Sequence, residues 1–113
     1  MSFTRTAGLP PSWLTVNPIV SGISTSYSAL LTDYYIGVNG TGVTITLPLG
    51  SAVSAGKSYV IKDESGLINV NVAYRFNIQT SGSDKIDGST TLTVTTSYTA
   101  ITVIWAGTFW SII

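Results

Sequence analysis

The sequence predicts an all-β domain, specifically an antiparallel β-sandwich of jelly-roll type with about eight short strands. Apolar and polar residues alternate with period two in several segments. Turn-forming residues separate these segments at intervals of roughly 8–12 residues, as in sandwiches and small barrels. No window shows helical periodicity beyond a turn or two. Together these observations favour two packed sheets over any helical or mixed architecture.

The first strands are predicted from β-forming composition and one turn signal. Residues 26–31 and 33–38 are rich in tyrosine and aliphatic side chains, which favour strands. Asn39-Gly40 follows, and this pair is typical of a two-residue hairpin turn. Residues 43–47 then alternate strictly between aliphatic residues and threonine. We therefore expect a hairpin centred on Asn39-Gly40.

The middle of the chain contains the most regular alternation. Residues 57–63 are predicted to form a strand that ends at a turn over residues 63–66. Beyond the turn, every even-numbered residue is apolar: Ile68, Val70, Val72, Tyr74, Phe76 and Ile78. This period predicts one long strand over 68–78, or two strands that keep their register across a bend.

The C-terminal part is predicted to contain a second hairpin and two final strands. Asp87-Gly88 is the turn signal of that hairpin. The predicted strands cover residues 84–86, 90–95, 98–105 and 108–113.

The last two strands are apolar on both faces, although a two-layer sandwich buries only one face of each sheet. The second face is therefore predicted to meet another subunit, which favours a homo-oligomer. An alternative is that the N-terminal arm of the same chain covers this face. The predicted interface residues are Trp105, Phe109, Trp110, Ile112 and Ile113.

Residues 1–22 are predicted to form an extended arm or linker, and residues 23–113 the sandwich domain. The arm carries Pro10, Pro11 and Pro18 and shows little periodicity. It has no unbroken apolar stretch of the kind found in signal peptides, so we expect no secretory signal.

The composition disfavours nucleic-acid binding and membrane insertion. Charged residues make up 9% of the chain, against about 25% in ordinary soluble domains. The five basic residues are scattered, whereas nucleic-acid binding needs clustered lysine and arginine. No apolar stretch reaches the roughly 20 residues of a membrane-spanning helix. The 15 serines and 17 threonines give a surface that is poorly protected against self-association.

The sequence offers no catalytic, cofactor or metal site. It contains no cysteine and no histidine, so the common nucleophile–base pairs and transition-metal sites are missing. Its acidic residues fall mostly in predicted turns, where aspartate is explained by hydrogen bonds to nearby backbone. Exposed tyrosines are candidate contacts for sugar rings, and Tyr34 and Tyr35 are the candidate glycan contacts. The competing explanation is that the aromatic residues fill the core.

Four short motifs occur in a fixed order. They are Thr44-Ile45-Thr46-Leu47-Pro48, then residues 56–63 (GKSYVIKD) with Ser65-Gly66, then Ile86-Asp87-Gly88, and finally residues 107–113 (GTFWSII). This order resembles a β-domain that recurs in tail-fibre, head-fibre and spike proteins of phages and other viruses. The resemblance covers about residues 33–113. Ala106 and Phe109 are more apolar than the residues usual at those positions of the family.

The resemblance implies a sandwich or jelly-roll module on a virion, commonly trimeric, that decorates the particle or contacts the host. We therefore expect a virion structural protein module, either a fibre, spike or capsid-decorating head domain, made in the host cytoplasm. It would act by homo-oligomerisation and host attachment, bind other virion proteins through the arm, and reach host surface glycans. The alternative function is a carbohydrate-binding β-sandwich module, and no enzymatic activity is expected.

Overall fold

A computed structural model describes residues 17–113, which fold as two β-sheets packed face to face. The strands are β1 Ile19–Ile23, β2 Tyr27–Ser28, β3 Tyr35–Val38, β4 Thr44–Thr46, β5 Ser58–Asp63, β6 Phe76–Gln79, β7 Thr91–Val94, β8 Ala100–Trp105 and β9 Trp110–Ile112. Two short 3-10 turns lie at Gly50–Ala52 and Val72–Tyr74. The predicted all-β sandwich is confirmed.

The sheets are mixed, so the prediction of purely antiparallel pairing is wrong. One sheet has the order β1-β3-β5-β8-β9, and the other has the order β2-β4-β6-β7. Strands β1, β3 and β5 run parallel, as do β2, β4 and β6. The chain crosses to the opposite sheet after each of its first five strands. Neighbours within a sheet are therefore two strands apart in sequence and point the same way, whereas β7, β8 and β9 pair antiparallel.

These directions define two ends of the sandwich. The lower end contains the segments 29–34, 47–57, 80–90 and 106–109, and the upper end contains the segments 39–43, 64–75 and 95–99. Residues 19–22, which the sequence placed in the arm, belong to edge strand β1. Residues 1–16 of the predicted arm lie outside the described residues.

Only one of the two predicted hairpin turns is present. Asn39-Gly40 connects β3 in one sheet to β4 in the other, so it closes no hairpin. Asp87 and Gly88 have φ angles of 45° and 86°, as a two-residue hairpin turn requires. Ile86 and Ser89 exchange backbone hydrogen bonds of 2.7 and 3.0 Å across that turn. Residues 84–86 form an isolated bridge at Ile86 rather than a strand.

The prediction of a long strand over residues 68–78 is wrong for its first part, since only Phe76–Gln79 is a strand. The side chains of Asn69 and Asn71 accept hydrogen bonds from the backbone N–H two residues ahead, at 2.8 and 3.0 Å. These local bonds compete with sheet pairing and turn the chain. Val70 and Val72 consequently remain 73% and 80% exposed, although their spacing is that of a buried strand face.

The core lies between the inner faces of the two sheets. Its largest fully buried side chains are Trp110, Tyr59 and Phe76. The Trp110 ring lies 5.8 Å from that of Tyr59 and 5.3 Å from that of Trp105, both in tilted geometry. Such tilted aromatic pairs stabilise a core beyond the area that they bury.

Gly50 is required by the position of the Trp105 indole. A Cβ atom at residue 50 would lie 2.1 Å from the Cη2 and Cζ2 atoms of Trp105. We expect Gly50→Ala to lower the free energy of unfolding by about 1–3 kcal/mol, because the indole must leave its packed position. Urea denaturation measures this effect.

The matched control is Gly40→Ala, where the nearest heavy atom to a new Cβ is 3.4 Å away. We expect this control to change stability by less than about 0.5 kcal/mol. Equal effects of the two substitutions would contradict the assigned role of Gly50.

Candidate functional site

Two of the predicted interface residues are buried inside the chain. Trp110 is 0% exposed and Trp105 is 6% exposed. Both point between the sheets, because Trp105 pairs with Trp110 in the register of β8 and β9 and both pack on the core. Neither side chain can therefore contact a second subunit in this fold, and the prediction of interface contacts through these two residues is corrected.

Of the other three predicted interface residues, one points towards the core and two are exposed at the surface. Ile112 pairs with buried Val103 and packs partly against the core. Phe109 and Ile113 are 46% and 70% exposed. Ile113 alternates with Trp110 and Ile112, which places it on the outward side of the sheet. Phe109 lies in the lower-end turn between β8 and β9.

The outward side of the five-stranded sheet carries a row of uncharged side chains. The strand register aligns Ile19, Tyr35, Val60 and Thr102 across four strands, and the Ile113 N–H donates to the Thr102 carbonyl at 2.9 Å. Below this row lie Ser58, Ile104 and Ser111, which are also in register. We call these eight residues the outer face: Ile19, Tyr35, Ser58, Val60, Thr102, Ile104, Ser111 and Ile113.

Glu64 fastens edge strand β1 to the sheet at the upper margin of the outer face. Its carboxylate accepts hydrogen bonds from the Ser21 hydroxyl at 2.8 and 2.9 Å and from the Gly22 N–H at 3.0 Å. It also accepts the Tyr35 hydroxyl at 2.8 Å and lies directly above Gly37, where a Cβ atom would be 2.2 Å from its Cδ. Burial alone raises the pKa of Glu64, but these hydrogen bonds and nearby Lys62 outweigh it and lower the pKa.

Asp63 fixes the turn that follows β5. Its fully buried carboxylate accepts the N–H groups of Ser65, Gly66 and Tyr98 at 3.0, 3.1 and 2.9 Å, and the Ser65 hydroxyl at 2.7 Å. Burial tends to raise the pKa of Asp63, and these donors more than offset it, so the pKa lies below its ordinary value. Asp63 and Glu64 thus both serve structural hydrogen bonds.

The predicted glycan contacts are not freely presented. The Tyr35 hydroxyl is bound by Glu64, and burial followed by this hydrogen bond raises the pKa of Tyr35 to about 12. Tyr34, immediately before β3, is half-buried. The more exposed tyrosines are Tyr74 and Tyr98 at the upper end, at 47% and 61%. The sequence could not single them out, because Tyr74 and Tyr98 lie in predicted strands just as Tyr34 and Tyr35 do, and the strand pattern does not tell which tyrosines stay exposed.

The lower end has a surface cavity of about 380 Å³ lined by Leu31, Ala52, Val53, Ser54 and Lys57. The Lys57 ammonium donates to the Asp33 carbonyl and lies 4.6 Å from the centre of the Tyr59 ring. Burial lowers the pKa of Lys57, an effect that the nearby negative charge of Asp33 opposes. The cavity is therefore mostly apolar, with one positively charged group on its wall.

Within residues 17–113, no group of three or more histidine, cysteine, aspartate or glutamate side chains is arranged to hold a metal ion. No helix in the same part of the chain has the length and apolarity needed to cross a bilayer.

The stability of the fold is expected to fall as the solution is acidified. Asp63 and Glu64 have folded-state pKa values below their ordinary ones. The stability that these two carboxylates contribute is therefore fully present above their unfolded-state pKa values. It is lost as pH falls from about 5 towards 2. Urea midpoints measured between pH 7 and pH 2 test this expectation.

The variant Glu64→Gln separates the contribution of Glu64 to stability from that of Asp63. Its free energy of unfolding at pH 7 should be lower than that of the parent by about 1.5 kcal/mol, the lower end of the range that hydrogen bonds to a charged group contribute. The difference should shrink as the parent carboxylate becomes protonated. A difference that stays constant down to pH 2 would show that the charge of Glu64 contributes nothing.

Neither a scan against protein-family models nor a search of curated proteins finds a match to this chain.

Proposed function

We propose that this chain is a structural module of a virion, a fibre, spike or capsid-decorating head domain, and that it works as a homo-oligomer joined through the outer face. The observation that carries the proposal is the chemistry of that face. Its eight side chains are aliphatic, aromatic or hydroxyl-bearing, and none is charged. Soluble monomers rarely leave such a surface uncovered.

The alternation of inward and outward side chains along β8 and β9 also supports the outer face as the contact surface. The inward side of these strands is already filled by the core residues Val103, Trp105 and Trp110. Ile104 and Ile113, on the outward side, do not pack against the core cluster, and Ile113 is 70% exposed. Two charged side chains, Lys62 and Glu64, lie on the same side of the sheet, above the row formed by Tyr35 and Val60.

The motifs behind the family resemblance have structural roles in this fold. Asp63 organises the turn after β5, Asp87-Gly88 closes the tight hairpin, and Trp110 is the largest buried side chain. Residues that determine a fold are those that a shared architecture would retain. The resemblance therefore supports a shared sandwich architecture more strongly than a shared binding specificity.

The upper end is the surface that we assign to host contact. Its segment 64–75 presents Leu67, Val70, Val72 and Tyr74 on backbone fixed by asparagine hydrogen bonds. Ordered apolar loops at the tip of a scaffold are typical of recognition surfaces. The N-terminal residues, which join the lower end, are correspondingly assigned to attachment to the particle.

A charge placed in the outer face should dissociate the oligomer. We expect Val60→Lys and Ile113→Asp each to convert the assembly to a monomer at micromolar concentration, because a charge there would be buried without a partner. Size-exclusion chromatography with light scattering measures the mass.

The control for Ile113→Asp is Val72→Asp, which places the same negative charge on an 80% exposed side chain at the upper end. This variant should remain oligomeric. A parent chain that runs as a monomer of 11.9 kDa would refute the proposed assembly directly.

Carbohydrate binding is the second candidate function, favoured by the two exposed tyrosines of the upper end. Tyr98 lies beside Lys62, whose ammonium is 5.5 Å from the centre of the Tyr98 ring and donates to its carbonyl. Asn69 and Asn71 stand near Tyr74 in the same segment. Aromatic faces beside amide and ammonium donors are suited to stacking on sugars and binding their hydroxyls.

A glycan array tests this candidate with matched variants. Tyr74→Ala and Tyr98→Asn should abolish any binding, and asparagine tolerates the positive φ of 58° at residue 98. Tyr35→Phe, which changes only the outer face, should leave it intact. An array without hits would remove this function, and hits that survive both upper-end variants would show that the sugar binds elsewhere on the chain.

A further inference from the structure

We propose that the upper end binds the surface of a lipid bilayer, and that the loop over residues 67–74 is the part that enters the headgroup region. This inference names the partner for the host contact assigned to the upper end and rests on that assignment, but not on assembly through the outer face. Three features of the loop support it: its exposed aliphatic side chains, its internal hydrogen bonds and the charged groups at its base. The contact stays at the bilayer surface, and no segment crosses the membrane.

The loop presents three aliphatic side chains to solvent. Leu67 is 60% exposed, and Val70 and Val72 are more exposed still. Ile68 lies between them in sequence, is buried, and anchors the loop in the core. No charged residue occurs in the segment 65–74. Transfer of such side chains from water into an apolar medium is favourable, so the tip of the loop gains by reaching one.

The loop also satisfies much of its own backbone. The Asn69 N–H donates to the Tyr74 carbonyl, and the Tyr74 N–H to the Asn71 carbonyl, each at 2.8 Å. The side-chain oxygens of Asn69 and Asn71 accept two further backbone N–H groups. The Arg75 Nε donates to the Val70 carbonyl at 2.9 Å. Because a peptide group without a partner costs far more in an apolar medium than in water, these bonds lower the cost of bringing the loop into the bilayer surface.

The composition of the tip favours lipid over a protein partner. Residues that dominate protein–protein binding are mostly tryptophan, tyrosine and arginine, whereas leucine and valine are under-represented among them. Leucine and valine are, by contrast, among the residues that enter a bilayer most favourably. The tip carries only these two types at Leu67, Val70 and Val72. An ordered aliphatic tip therefore fits a bilayer surface better than a specific protein groove.

The charged groups at the base of the loop suit phosphate headgroups. Arg75 follows the loop directly, and the Lys62 ammonium donates to the Tyr98 carbonyl at 2.6 Å. The two carboxylates of this end are engaged within the fold, since Asp63 is fully buried and Glu64 accepts hydrogen bonds from β1 and β3. The cations are thus the charged groups best placed to meet lipid phosphates. Tyr98, with its exposed ring, is of a type common at bilayer interfaces.

Flotation with lipid vesicles tests the proposal on the full chain. We expect the chain to float with vesicles of phosphatidylcholine, and more strongly when phosphatidylserine is included. Val72→Asp should weaken binding roughly tenfold or more, because burial of a valine side chain contributes about that factor and a carboxylate adds a penalty. Leu49→Asp makes a matched change at a lower-end side chain that is 48% exposed, and it should bind as the parent does.

A fluorescent label shows which end touches the lipid. The chain has no cysteine, so Val72→Cys and Leu49→Cys each provide a single site for an environment-sensitive dye. The emission of the dye at residue 72 should shift to the blue when vesicles are added, and that of the dye at residue 49 should not. Equal shifts at the two sites would overturn the proposal. So would a parent chain that binds neither vesicle, or one whose binding needs phosphatidylserine and disappears in high salt.

The mass of the same samples, measured by light scattering without vesicles, separates this inference from the proposed assembly. An intact oligomer that fails to bind vesicles would refute the lipid contact alone. A monomeric parent chain that still floats with vesicles would refute the assembly alone.

Discussion

The burial of Trp105 and Trp110 between the sheets is the constraint on which the rest of the structure depends. These two indoles and the Tyr59 ring form one aromatic cluster, with ring centres 5.3 and 5.8 Å apart. Because side chains alternate along a strand, the inward direction of Trp105 and Trp110 forces Ile104 and Ile113 outward. The packing of the core thereby determines which apolar side chains remain on the outer face.

The carboxylates of Asp63 and Glu64 also contribute to the fold, because they hold backbone segments in place. Asp63 and Glu64 are adjacent, yet one faces the interior and the other the outer face. Asp63 holds the turn that starts the upper-end loop, and Glu64 holds edge strand β1 against its neighbour. Five acidic residues are few for a chain of 113, and these two are committed to fixing backbone.

The sequence predicted the sandwich and most strand positions, because alternation and turn residues report directly on local backbone. It did not predict parallel pairing, since nothing local tells whether the chain turns back in one sheet or crosses to the other. The long strand over 68–78 failed because Asn69 and Asn71 bend the backbone through their side chains. The interface prediction recognised that the last two strands are apolar on both faces, but it could not tell on which face Trp105 and Trp110 would lie.

In the proposed assembly, the outer face is covered by copies of the same chain. Methyl NMR in the presence of a soluble paramagnetic agent tests it most directly, because relaxation then reports which methyl groups the solvent reaches. At concentrations where the chain associates, the methyl groups of Val60, Ile104 and Ile113 should be protected, while those of Val70 and Val72 relax strongly. Equally strong relaxation of Ile113 and Val72 would contradict the claim.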